Sequence, residues 1–195
     1  MKVFYISGTK GGVGTTTVAS VIALRSQKSG LKTLIVDNAE LKGLAAIMDF
    51  TLSIPGKVHK ANENLDYLKN DGSELDFSKM EYDVVVVDNG TKSPQPSKKK
   101  KGFSEEYVAV VRNCYISLRN FVENGFDEVD HTVCIFEKEK VLSVNDAELV
   151  TRKELAVFNY LPAVGRAIDA GLLNVRFTNS EYDWVSDVLE LVPAQ

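Results

Sequence analysis

The sequence predicts an α/β fold: a mostly parallel, doubly wound sheet flanked by helices. Three observations carry this. Apolar runs are continuous rather than alternating, above all Val84–Val87 within DVVVVD, as strands buried on both faces require. Candidate strands alternate with candidate helices along the chain. A glycine-rich loop, residues 8–14, joins an apolar run to a helix, in the strand–loop–helix order that phosphate-binding α/β units use.

The elements follow in order. Residues 2–7 (KVFYIS) read as the first strand. Residues 15–29 read as a helix that buries Val18, Val21, Ile22 and Leu24, with Gly30 as its C-cap. Residues 32–37 (KTLIVD) form a second strand ending in Asp37. Residues 40–49 read as helical, and Pro55-Gly56 breaks the pattern. Residues 57–72 are polar, with one short edge strand around Leu65–Leu68. Residues 83–88 are the strongest strand, ending in Asp88; Ser93–Gly102 (SPQPSKKKKG) then reads as an exposed loop. Strands are expected at 107–111, 132–136 and 154–158, and helices at 114–124, 145–151, 163–171 and 181–191. No repeat or linker divides the chain, so residues 1–195 are expected to form a single domain.

Composition narrows the function classes. The chain has 195 residues with 23 Lys+Arg against 27 Asp+Glu, a net charge of −4, and is 44% apolar. Such a chain is an ordinary globular protein that needs no disulfide or metal to hold a core. Its mild acidity argues against a general nucleic-acid coat, which rests on many Lys/Arg–phosphate contacts. Cys114 and Cys134 belong to no C-x-x-C, and His59 and His131 lie far apart, which argues against a zinc site and fits a reducing compartment. The apolar run after Lys2 is shorter than a signal peptide requires, so none is expected, and no segment approaches the run of about 20 apolar residues that spans a bilayer. A cytoplasmic location is expected.

The segment that carries chemistry is Gly8-Thr9-Lys10-Gly11-Gly12-Val13-Gly14-Thr15-Thr16-Thr17. Glycines let the backbone point several N–H groups inward as an anion cradle. The following helix adds the positive end of its dipole. The Thr16 hydroxyl stands where a phosphate loop places its Mg²⁺ ligand.

GTKGGVGTTTVA resembles the deviant Walker A motif of the MinD/ParA family of ATPases, whose pattern is K-G-G-x-G-K-[ST]-T. Residues 34–48 (LIVDNAELKGLAAIM) are similar to the family's segment holding D-x-D, and residues 82–90 (YDVVVVDNG) to its Walker B segment. Leu161–Leu173 is a weaker match to a late segment. The loop ending in G-V-G-T-T-T most resembles divergent members related to Tad-type pilus localisation proteins (TadZ/CpaE). The receiver-like domain of those proteins is expected to be missing at this length.

The resemblance implies ATP and Mg²⁺ as ligands. Gly11, Gly12, Val13, Gly14, Thr15, Thr16, Thr17 and Asp37 would hold the nucleotide, with Thr16 and Asp88 at the metal. Lys10 matches the catalytic lysine that reaches across a nucleotide-dependent homodimer to the partner's phosphates. Two departures stand out. Thr15 replaces the lysine that charges the β/γ-phosphates, and Ala39 replaces the second aspartate of D-x-D, which positions the attacking water. Glu40 lies one residue on and could substitute, but a shift of one residue changes its direction. A position that often carries an adenine-contacting Asn is Glu137 here, which leaves base selectivity open.

These readings predict an ATP-binding, dimerising switch with weak or absent hydrolysis, which localises or regulates machinery such as a secretion, pilus or partition apparatus. Two alternatives stay open: a scaffold that binds no nucleotide, and a partition ATPase that binds DNA through Lys98–Lys101. A solvated loop is the favoured reading of those four lysines. The C-terminal segment Glu181–Val192 is amphipathic but acidic, which argues against direct membrane insertion. Arg112 and Arg119 flank a strand-to-helix turn and read as solvated or partner-facing.

Overall fold

Four consecutive valines centre the sheet. In the computed structural model, which describes residues 1–41, 43–48, 50, 53–95, 102–160 and 162–171, they fall in β5 (Val84–Asp88), all five of whose residues are buried. Val84 and Val86 face one layer and Val85 and Val87 the other, so both faces of the strand are covered, as its unbroken apolar run requires.

The strands are β1 (Lys2–Gly8), β2 (Thr33–Asp37), β3 (Val58–Lys60), β4 (Leu65–Lys69), β5, β6 (Ser104–Arg112), β7 (His131–Phe136) and β8 (Leu155–Asn159). They form one sheet in the order β3-β4-β2-β5-β1-β6-β7-β8. Every neighbouring pair is parallel except β3–β4, which is antiparallel at the edge. The helices are α1 (Thr15–Lys28), α2 (Leu44–Ile47), α3 (Tyr115–Glu123), α4 (Val144–Thr151) and α5 (Pro162–Asp169).

One face of the sheet packs against α1, which buries Val18 through Leu24 without a break, together with Leu44 and Met48 at α2 and Val164 and Ala167 of α5. On the other face, Leu118 and Phe121 of α3 and Ala147 of α4 cover Ala109, Val111 and Cys134. Phe77 covers Val3, Leu34, Val36, Val85 and Val87. This is the doubly wound α/β sheet that the apolar runs predict.

Three elements differ from the sequence reading. The helix expected over 40–49 is the single turn Leu44–Ile47, because the chain before it is held elsewhere. The Asn38 amide donates to Asn89 Oδ1 at 2.8 Å, and the Leu44 N–H donates to Asp37 Oδ2 at 3.3 Å. β6 begins at Ser104 rather than at 107, since its backbone pairs with β1 from Lys2 onward. Its early glutamates find partners instead of water: Tyr5 donates to Glu105 at 3.3 Å, while Lys2 and His131 bind Glu106 at 3.3 and 2.7 Å. β3 lies in the segment read as polar, and Val58, His59 and Lys60 form a half-exposed edge of the kind that charge keeps from pairing further.

The lysines Lys98–Lys101 and the helix expected over 181–191 lie outside the described residues. No described helix is long and apolar enough to cross a membrane.

Candidate phosphate-loop site

The site is built where the strand order changes direction. β1 leads through α1 to β2 on one side, whereas β6 leads through α3 to β7 on the other. The crevice beyond the carboxyl ends of such strands is where open α/β sheets hold ligands. The loop from Gly8 to Gly14 fills that position.

Its base is pinned from both sides. The Gly8 N–H donates to Gly90 O at 2.7 Å, and the Thr9 N–H to Val110 O at 3.1 Å. The Thr9 and Ser117 hydroxyls are 2.7 Å apart, and the Asn120 amide donates to Thr9 O at 2.9 Å. Backbone bonds to the loop after β5 and to β6, and side chains from α3, therefore fix the base of the loop. Gly12 and Gly14 lie in the left-handed region, at φ 74° and 101°, where a side chain is strained. A β-carbon on Gly11 or Gly12 would meet no atom within 4 Å, so the mouth of the loop opens outward.

Thr15 is buried at 7% exposure, with its hydroxyl filling the space that a β-carbon on Gly8 would need. Thr16 and Thr17 are half-buried at the start of α1, and Val13 is fully buried beneath the loop. Lys10 bends back so that Nζ donates to Gly11 O at 3.1 Å.

Beside the loop stand the two aspartates. Asp37 and Asp88 are register partners on β2 and β5 and are 0% and 1% exposed. Asp37 Oδ2 accepts from the Leu44 N–H and, at 3.4 Å, from the Tyr67 hydroxyl. Burial, and next the Asp37 charge, push the Tyr67 hydroxyl up to about 12. Asp88 Oδ1 accepts from the Gly90 N–H at 2.9 Å. Two buried carboxylates side by side near a hydroxyl-bearing helix start form an oxygen donor set suited to Mg²⁺. An open, pre-fixed glycine loop suits a phosphate. The residues present thus fit both groups.

The loops after β2, β4 and β5 are tied by asparagines. Asn70 donates to Asn38 at 2.9 Å, Asn38 to Asn89 at 2.8 Å, and Lys92 Nζ to Asn38 O at 2.7 Å. Ala39, the position that departs from D-x-D, is buried against Gly90.

The structure brings all the predicted residues from Gly8 to Thr17 together with Asp37 and Asp88 at one end of the sheet. It also adds residues that sequence reading missed. Arg112, read as solvated, pairs with Glu137 and lies 5.7 Å from the Tyr160 ring centroid. Arg112 lines a cavity of about 70 Å³ together with Gly14, Thr17, Ile135, Asn159 and Tyr160. Asn113, fully buried, donates to Glu137 O and Leu142 O at 2.9 and 2.8 Å and accepts from the Glu137 N–H at 2.9 Å. The available signal was the polar pair Arg112-Asn113 closing an apolar strand. Arg119 is exposed and pairs with Glu123 of its own helix, at 2.8 Å.

No protein-family model matches the chain, and no curated protein matches it by sequence. Solved structures do match. A chain of the MinC:MinD cell division protein complex of Aquifex aeolicus aligns with TM-score 0.71 at 19% identity, over 100% of this chain and 99% of that one. The septum site-determining protein MinD of Pyrococcus horikoshii OT3, complexed with Mg-ADP, aligns with TM-score 0.71 at 16% identity, over 98% and 95%. A ParA family ATPase from Chlorobium tepidum TLS aligns with TM-score 0.69 at 14% identity, over 97% and 98%. At these identities the likeness is one of fold.

Proposed function

We propose that this chain is a nucleotide-dependent switch of the MinD/ParA kind, which binds ATP with Mg²⁺ and hydrolyses it weakly or not at all. The observation that carries this is the glycine loop, pinned on both sides at the direction change of the sheet, beside two buried aspartates in register. Backbone N–H groups of Gly11, Gly12, Val13 and Gly14 and the start of α1 at Thr15, Thr16 and Thr17 would take the phosphates. Thr16 and Asp88 would hold Mg²⁺, with Asp37 supporting the metal side. When bound, the cation supplies charge neutralisation across the phosphate oxygens.

The limit on hydrolysis comes from two positions. Thr15 offers a buried hydroxyl where a charge is needed, and Ala39 presents a methyl group that cannot orient water. Lys10, whose Nζ turns back onto Gly11 O, would swing outward to act on the nucleotide of a second copy, so that bound nucleotide favours a homodimer. Its output would be the positioning or control of a protein partner in a secretion, pilus or partition apparatus in the cytoplasm. The G-V-G-T-T-T loop supports a relation to the Tad-type pilus localisation proteins. That Pyrococcus MinD is complexed with Mg-ADP and Aquifex MinD with MinC supports both ligand and mode of action.

Titration calorimetry with Mg–ATP, alongside a thermal melt, tests the reading. Heat of binding and a raised Tm are expected. No heat and no shift at millimolar nucleotide would leave the scaffold reading instead.

A further inference from the structure

The phosphate loop lacks a lysine at position 15, yet a cation stands in the wall that the loop shares with β6, β7 and β8. Arg112 ends β6 and borders one cavity with Gly14 and Thr17. Its guanidinium is unusually placed. One terminal nitrogen pairs with Glu137 Oε1, the group lies over the Tyr160 ring, and Nε is buried without a hydrogen-bond partner among the described residues. A buried donor left unmatched is costly, and such exceptions call for a reason.

Glu137 is equipped to release this arginine. Its backbone is fixed by Asn113 through both N–H and C=O, so the residue keeps its place beside β6 when Arg112 moves. Its other oxygen, Oε2, already pairs with Lys140 at 3.4 Å. If Arg112 turns away, Glu137 keeps a counter-charge. Arg112 in turn has a planar fork of donors that matches phosphate oxygens, and the Tyr160 ring 5.7 Å away holds the guanidinium at the cavity wall.

We propose that Arg112 is the phosphate-contacting cation of this site, replacing the lysine absent at Thr15, and that Glu137 holds it in reserve until a polyphosphate binds. This rests on the reading of Gly8–Thr17 as a phosphate cradle. The ligand class is the phosphate chain of a nucleoside polyphosphate, and the contact falls at the Gly14/Thr17 end of the loop.

The test is calorimetric titration of the full chain with two probes, Mg–ATP and inorganic triphosphate with Mg²⁺, for wild type, Arg112→Ala and Glu137→Gln. Wild type is expected to bind both. Arg112→Ala should weaken both by tenfold or more. Glu137→Gln, which removes the competing carboxylate, should tighten both severalfold, a gain that damage to the fold does not produce. Arg112→Ala binding like wild type, or Glu137→Gln leaving affinity unchanged or weaker, overturns the proposal while the cradle reading stands. Loss of ATP affinity with triphosphate affinity intact overturns it as well, since Arg112 would then serve the nucleoside. Wild type that binds neither probe overturns the cradle reading and this inference together.

Discussion

Asp37 and Asp88 stand as register partners at the ends of β2 and β5, both buried, yet they are held differently. Asp37 is occupied by the start of α2 and by Tyr67, whereas Asp88 accepts from Gly90 in the loop that follows it. Asp37 thus holds the start of α2 and a β4 side chain, whereas the Gly90 bond of Asp88 reaches the backbone two residues on, which leaves Asp88 the better placed of the two for the proposed Mg²⁺ role.

The first prediction separates them. Asp88→Asn should leave the thermal midpoint near that of wild type but remove the Mg²⁺-dependent part of nucleotide affinity. Asp37→Ala should cost about 1–3 kcal/mol of stability through two unmatched donors. Chemical denaturation and titration with and without a chelator check both. Equal loss of stability in the two variants would contradict the division of roles.

A β-carbon on Gly90 would stand 3.0 Å from the Ala39 methyl carbon, and Gly90 has φ 62°. Position 39 therefore has no spare volume toward the β5 loop. Ala39→Asp is expected to destabilise the protein by about 1–3 kcal/mol, from overpacking and from burying a carboxylate. An urea melt reads this directly; an unchanged midpoint would mean that the two loops part easily.

Thr15→Lys restores the missing charge. A charge-assisted contact of this kind is worth on the order of 1.5–3 kcal/mol, or about tenfold to a hundredfold in affinity for Mg–ATP. Unchanged or weaker binding by calorimetry, in a variant with the wild-type melting midpoint, would show that a cation at position 15 does not reach the phosphates. Turnover is expected to need Ala39→Asp in addition.

Stability should also carry an acid limb set by Glu106. Burial alone would raise its carboxyl, but the His131 hydrogen bond and the Lys2 ammonium outweigh burial and hold it below its ordinary value. A carboxyl depressed in the folded state adds stability that is present above its unfolded value, about 4.3, and is lost as pH falls through the folded value. Glu106→Gln should lower Tm at neutral pH and flatten the decline on acidification. Parallel Tm–pH curves for the two proteins would refute this.

What was legible in the sequence was whatever short-range pattern encodes. Val84–Val87 announce a doubly buried strand, and Gly8–Thr17 a loop between strand and helix, because each signal lies within a few residues. Elements made by long-range pairing were hidden. β3 is recruited by backbone bonds to β4, and the first residues of β6 are polar side chains whose partners, Tyr5, Lys2 and His131, are far away in sequence. The helix over 40–49 was overestimated because its apolar pattern does not reveal that Asn38 is tied to Asn89. Arg112 reads as solvated until β7 and its following loop bring Glu137 against it.

In the proposed switch, the loop from Gly8 to Thr17 binds nucleotide and binding joins two chains through Lys10. Native mass spectrometry of the chain with Mg–ATP tests it most directly. A species of two chains carrying two nucleotides is expected, which reverts to single chains when Mg–ATP is removed and is lost in Lys10→Ala. A spectrum holding only the nucleotide-free single chain at millimolar Mg–ATP would contradict it.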